Sequence, residues 1–333
     1  MPKPKAPAKV SAPAPAAPIV RDDGVEVVDP VQATRLYQKG FIGEPRPGNL
    51  LRLSLVEAAW LCTQGRLELP GGAAGLLARG AAQGNRTEVA FLAYSDLRAR
   101  GLVARHAEGG FLVWPRGDGP PKPHAYMVQV AAEGDAVDGA ALSAAAQSSS
   151  ILAVVDEDGA VTHYKVEQEA PAGSCPPGPL PKAKGVLLAD RVLVADADAA
   201  QAYAQKEFLG TPSPAGLVLS IVEAAALQAR GVLAVPGLDK RARTAHGLAA
   251  YTALRDAGVV VKSGFRFGTH LRGYAGDPEE GHALWLVQCL DEDEALHWSA
   301  LSRAIRLAHG VRKRFLVAIG AQPMFVALTW FKP

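Results

Sequence analysis

Two stretches near the C-terminal end of this 333-residue chain bring together side chains suited to work on a phosphate. In KSGFRFGTHLRGYAGDPEEGH (262–282), Tyr274 closes a β-prone run and His282 follows a Gly-Asp-Pro turn. Two strand ends joined by a turn place a phenol and an imidazole within reach of one another. In RAIRLAHGVRKRF (303–315), Arg303, Arg306, His309, Arg312, Lys313 and Arg314 crowd into a few turns, a surface that attracts phosphate. Singly, each residue has a structural explanation: a histidine satisfied at a strand start, a lysine favoured by a helix dipole, a tyrosine at the edge of a core.

The elements that must position them are written twice. LSLVEAAWLCTQGRLEL from Leu53 matches LSIVEAAALQARGVLAV from Leu219. Upstream, Gln38-Lys39 and Phe41-Ile42-Gly43 match Gln205-Lys206 and Phe208-Leu209-Gly210; downstream, AYSDLRARGLV to Val103 matches AYTALRDAGVV to Val260. The Leu-Ser-x-Val-Glu-Ala-Ala segment has helical period and stops at a glycine, as does the helix around Tyr94 or Tyr251. Strands are expected at 259–267, 282–290, 315–319 and 324–331, with a helix over about 291–313 that is acidic at its start and basic at its end.

The fold class is therefore α+β, a tandem duplication in which each repeat is a small α/β N-terminal subdomain followed by a mixed-sheet-and-helix C-terminal subdomain. The expected boundaries are a disordered tail at 1–22, the first repeat at 23–88 and 89–169, a Pro/Gly linker at 170–185, and the second repeat at 186–243 and 244–333.

A duplicated chain carries its own control, because what folding needs belongs in both copies. In the first copy Trp114 stands where Tyr274 does, and Ser149 aligns with Lys313. Only the histidine survives, as His124, and the basic helix end is gone. Folding alone gives no reason for that concerted loss.

Composition narrows the class further. The Ala-, Pro- and Lys-rich start lacks the apolar core of a signal peptide, and charged residues break every run long enough to span a membrane, so a soluble cytoplasmic protein is expected. Cys62, Cys175 and Cys289 are widely spaced, which suits reduced thiols better than disulfides or zinc. Without an HExxH pair, a Walker A loop or a dinucleotide fingerprint, no metal and no cofactor is expected. A net charge of +2 is too mild to mark a nucleic-acid partner by itself.

FGTHLRGY followed by GDPEEGH, and then RLAHGVRKRFLVAI, resemble in order and spacing the two active-site motifs of the archaeal tRNA-splicing endonucleases of the two-repeat, homodimeric type. The resemblance covers the chain after the tail. It implies that 244–333 is a catalytic nuclease subdomain and 89–169 its non-catalytic counterpart. It implies an RNA-cleaving lyase that acts on precursor tRNA folded as a bulge-helix-bulge, with Tyr274, His282 and Lys313 as the triad. Cleavage would be metal-independent, the 2′-hydroxyl attacking to leave a 2′,3′-cyclic phosphate and a 5′-hydroxyl. Arg306 matches a base-clamping position, with Trp330 as candidate for the second half, and Arg303 and Arg312 would bind the RNA backbone. The acidic turn Asp156, Glu157 and Asp158 would dock on a partner protomer, and the two apolar C-terminal strands would supply the rest of the interface. The competing expectations are a non-catalytic RNA-binding or structural subunit of such an enzyme, and a different ribonuclease or protein-binding platform on the same fold.

Overall fold

The computed structural model describes residues 16–242, 247–291 and 293–333. The chain forms two compact units, one running to Val130 and the other from Ala131 to Pro333.

In the first unit, Ile19–Arg21, Gly24–Val27, Leu50–Ser54 and Glu44–Arg46 form an antiparallel sheet in that order. Helices Pro30–Gln38, Leu55–Thr63 and Gly72–Ala82 cover it, burying Val25, Val27, Leu36, Leu51, Leu53, Ala58, Leu61 and Leu76 in one core. Helix Thr87–Ala99 then leads into the hairpin of Val103–Ala107 with Gly110–Trp114. Residues 19–21 thus belong to the sheet although they fall within the segment expected as tail; residues 1–15 of that segment lie outside the described residues.

The second unit repeats the small sheet as Val186–Leu187, Arg191–Val194, Gly216–Ser220 and Thr211–Ser213, again antiparallel. Register is preserved: Gly24 pairs Ser54 as Arg191 pairs Ser220, and Val25 pairs Leu53 as Val192 pairs Leu219. The linker is fastened rather than loose, since Gly173 and Cys175 N–H donate to Ala257 and Gly258 carbonyls, and Ala183–Lys184 pairs in parallel with Leu233–Ala234.

The larger sheet of this unit runs Val260–Ser263, Leu271–Tyr274, Trp285–Leu290, Arg314–Ile319, Met324–Phe331, Val161–Glu169, Ile151–Val155. Only Trp285–Leu290 and Arg314–Ile319 are parallel among these neighbours, and helix Trp298–Gly310 makes the crossover between them. The terminal strands of the two copies pair with one another, His163 with Phe331 through Glu169 with Phe325. The apolar C-terminal strands expected at a protomer interface are therefore consumed within the chain. Their near-continuous apolar sequence, buried from Phe315 to Ile319, suits a sheet covered on both faces. Helices Gly139–Gln147 and Trp298–Gly310 share one core with it, through Leu142, Ala145, Leu301, Ile305, Tyr164 and Leu328.

Several element boundaries differ from expectation, among them the strand expected from 282, which begins at Trp285. The strand predicted over 259–267 ends at Ser263 and gives way to a 3-10 turn, Phe265–Phe267. Gly264 lies so close to Thr269 and Leu271 that a side chain there would collide with both. The helix begins at Trp298, because Ala295–His297 pairs with Ala136–Asp138. Asp291, Asp293 and Glu294 thus precede the helix, and Arg312, Lys313 and Arg314 follow its end, so the dipole argument holds only for His309 in the last turn. Among the described residues no helix is long and apolar enough to cross a membrane.

Candidate active site

The catalytic candidates converge through backbone pairing. Tyr274 ends its strand opposite Val260, His282 lies in the turn before Trp285–Leu290, and Lys313 immediately precedes Arg314–Ile319. Leu284 N–H donates to the Gly273 carbonyl at 2.8 Å, and Arg314 N–H donates to the Leu284 carbonyl at 2.8 Å. One hydrogen-bonded row therefore joins the neighbour of Tyr274, the residue two beyond His282 and the neighbour of Lys313. Since the last two strands are parallel and the first antiparallel to them, the end of one and the starts of two meet at a single sheet edge.

Local devices set each approach. The Asp277 carboxylate accepts from Glu279 N–H at 2.7 Å, closing the turn that delivers His282. Arg312 has φ of 56°, a left-handed residue that turns the helix into the strand, and Lys313 N–H then donates to the Ala308 carbonyl at 2.8 Å. Tyr274 is only 9% exposed, against Val260 and Ala283, whereas His282 is exposed and Lys313 half-buried. The Lys313 ammonium lies 5.7 Å from the Phe267 ring centroid, and the Arg272 guanidinium 5.6 Å from that of Tyr274. An anchored phenol, a reachable imidazole and an ammonium at one edge can serve general acid–base and electrostatic catalysis.

The surrounding basic residues divide by environment. Arg303, Arg306 and Arg312 are exposed, Arg306 reaching Thr162 Oγ1 at 3.5 Å. Arg314 is spent on the first copy's last strand, pairing with Glu169 at 2.6 Å and Glu167 at 3.3 Å, which removes it from the phosphate-attracting set. Trp330 is 53% exposed; its ring stands edge-to-face with His309 at 5.4 Å, with the Lys332 ammonium 5.4 Å away. Asp156, Glu157 and Asp158 cap the hairpin of Ile151–Val155 and Val161–Glu169. Asp156 holds the turn by accepting from Ala160 N–H at 2.8 Å, leaving Glu157 and Asp158 exposed.

The first copy departs from this pattern position by position. Trp114 pairs Val103 as Tyr274 pairs Val260, and its indole donates to the Lys122 carbonyl at 2.8 Å. His124 lies edge-on to it, ring centroids 6.1 Å apart. The counterpart of Lys313 is Ser150, one residue beyond the Ser149 expected: Ser149 takes the left-handed turn with φ of 47°, and Ser150 N–H donates to Ala145 as Lys313 does to Ala308. Arg272 was not singled out from the sequence, although the same register sets Leu112 in its place.

Both domains of a known family match this chain. The tRNA intron endonuclease N-terminal domain matches residues 19–76 and again 183–247, and the tRNA intron endonuclease catalytic C-terminal domain matches 245–323. The tRNA-splicing endonuclease of Natronomonas pharaonis is 38% identical over 323 residues, spanning 89% of this chain and 93% of the relative. Those of Methanosarcina mazei and Halobacterium salinarum are 36% and 37% identical over 316 and 322 residues, each spanning 85% of this chain and 89% of the relative. With the N-terminal domain matched in both repeats, the catalytic domain matched across the Tyr274, His282 and Lys313 edge, and relatives of this identity spanning most of the chain, the protein belongs to the tRNA-splicing endonuclease family.

Proposed function

We propose that this chain excises introns from precursor tRNA in the cytoplasm, cutting bulge-helix-bulge RNA without a metal ion or cofactor. The observation that supports it best is the row of backbone hydrogen bonds from Gly273 through Leu284 to Arg314, which fixes the Tyr274, His282 and Lys313 segments at one edge. In the reaction, the 2′-hydroxyl oxygen bonds to the adjacent phosphorus as Tyr274 takes its proton. The bond to the 5′ oxygen then breaks, and His282 supplies the proton that this oxygen needs. Lys313 stabilises the negative charge on the intervening phosphorane. The products are a 2′,3′-cyclic phosphate and a 5′-hydroxyl.

Arg306 and Trp330 are the candidates for clamping a bulged base, and Arg303 and Arg312 for holding the backbone. The exposed Glu157 and Asp158 docking on a partner protomer would complete a homodimer. A purely structural or RNA-binding subunit would be expected to lose the triad in both copies, and here the second retains it.

Incubating purified protein with intron-containing precursor tRNA in excess EDTA, followed by end-group analysis, tests the reading. Cleavage at the intron boundaries with cyclic phosphate ends is expected. No cleavage, dependence on added metal, or 3′-hydroxyl ends would overturn it.

A further inference from the structure

A cavity of about 720 Å³ opens beside Tyr274, between the second copy's small sheet and the Val260–Ser263 and Leu271–Tyr274 hairpin. Arg191, Ser220, Lys262 and Arg272 line it together with Tyr274. Lys262 and Arg272 are direct cross-strand partners. Like charges placed opposite one another on a sheet are destabilising unless something else compensates. The acid closest at hand, Glu223, does not compensate them fully: its carboxylate already accepts from Ser220 N–H, Ser220 Oγ and Gly210 N–H. The Nε of Arg272 is buried and makes no hydrogen bond among the described residues. Among the described residues Lys262 donates only to a carbonyl, that of Gly210, at 3.3 Å. Burial, with Arg272 adding to it, pushes this ammonium below the ordinary lysine value.

The first copy keeps only one cation of this set. Arg105 and Leu112 occupy the Lys262 and Arg272 positions, and Gly24 occupies that of Arg191. A cleft there that shares the equivalent positions Ser54, Val56 and His106 measures about 360 Å³ and carries both Asp23 and Arg86 on its wall. Two of three cations are thus confined to the copy that keeps the triad. The basic cleft is no requirement of the fold.

We propose that this cleft binds an RNA phosphodiester adjacent to the one that is cut, with Arg272 and Lys262 holding its oxygens and Arg191 at the mouth. The proposal rests on the enzymatic reading above. A guanidinium fork fits phosphate oxygens, and the cleft opens at the phenol assigned to the scissile linkage, where a bound strand must continue.

Binding is measured by fluorescence anisotropy in EDTA, using precursor RNA with 2′-deoxy residues at the cleavage positions so that it cannot be cut. Arg272→Leu, which installs the first copy's residue, is expected to raise Kd about tenfold and to make the slope of log K against log salt shallower by about one; Arg272→Lys should recover part of the loss. In a second measurement, each phosphate flanking the cleavage site is replaced singly by a neutral methylphosphonate. One of these should weaken wild-type binding about tenfold and leave Arg272→Leu unaffected. If the wild-type protein binds and cuts native RNA but Arg272→Leu shows the wild-type Kd and salt slope, the cleft assignment fails alone. It fails equally if no flanking methylphosphonate weakens wild-type binding, a result that holds even should Arg272→Leu not fold. A wild-type protein that neither binds nor cuts the RNA overturns the enzymatic reading and this proposal with it.

Discussion

Lys313 sits where a helix hands over to a strand, its backbone committed on one side to Ala308 and its successor on the other to Leu284. The main chain therefore fixes the residue, and its half-buried side chain can be removed without opening the core. Lys313→Ala is expected to keep the wild-type melting temperature and to bind precursor tRNA, while single-turnover cleavage slows about 10²- to 10³-fold, the usual loss for one group that stabilises transition-state charge. A rate within a few-fold of wild type would remove Lys313 from the reaction. At this scale the sequence was informative but imprecise. The candidate triad is proposed from residue types and their partial loss in the first copy, whereas the one-residue displacement of the Lys313 counterpart from Ser149 to Ser150 depends on a backbone dihedral that no residue type announces.

At the scale of elements, the repeated Ser-x-Val-Glu motif proves to be a folding device. Ser54 with Glu57, and Ser220 with Glu223, each form a reciprocal capping box, and each glutamate also accepts the N–H of a left-handed glycine, Gly43 or Gly210. Its presence in both copies follows from that. A more particular junction surrounds Glu207 at the end of helix Ala197–Glu207. It accepts two bonds from Arg230 at 2.7 Å, one from Arg255 at 3.3 Å and one from the linker's Gly178 N–H at 2.9 Å. Burial pushes this carboxyl up, but the Arg230 fork, the Gly178 N–H and Arg255 together hold it below the ordinary glutamate value. A carboxyl depressed in the folded state contributes stability that is complete above its unfolded value, about 4.3, and is lost as pH falls through the folded value. Urea denaturation should therefore show stability falling on acidification below about pH 5, and Glu207→Gln should blunt that fall. At neutral pH Glu207→Gln is expected to cost about 3–5 kcal/mol, because it leaves the buried Arg255 without a counter-charge. An unchanged urea midpoint at neutral pH would show that the junction is not a support for the catalytic half.

For the whole molecule, pairing of the two terminal strands inside one chain changes what a homodimer can be built from. Seven residue pairs from His163–Phe331 to Glu169–Phe325 are already satisfied, so the proposed homodimer would have to form through other surfaces. The Glu157 and Asp158 tip is available, whereas Asp156 is occupied in holding the turn. Reversing both charges, Glu157→Lys with Asp158→Lys, should yield a monomer by sedimentation velocity with an unchanged melting temperature and greatly reduced cleavage. A variant that still sediments as a dimer would exclude the acidic turn as the docking element, and a monomeric wild-type protein would exclude the homodimer.

By itself the sequence determined the duplication and the small capped subdomains, and it supplied the candidates for the triad. Each of these is inscribed in local spacing: hydrophobic period, a glycine stop, a serine three residues before a glutamate, a residue present in one copy and lost in the other. Tertiary structure alone decided that the terminal strands pair within the chain, that Arg314 is neutralised by Glu167 and Glu169, and that Arg272 stands beside Tyr274 over a basic cleft. Those outcomes depend on partners far apart in the chain, such as Glu169 and Trp285, 116 residues from one another yet hydrogen-bonded at 2.8 Å. Residue types state what a side chain can do. Which opposite charge, strand or phosphate it meets is set by packing that brings distant segments together.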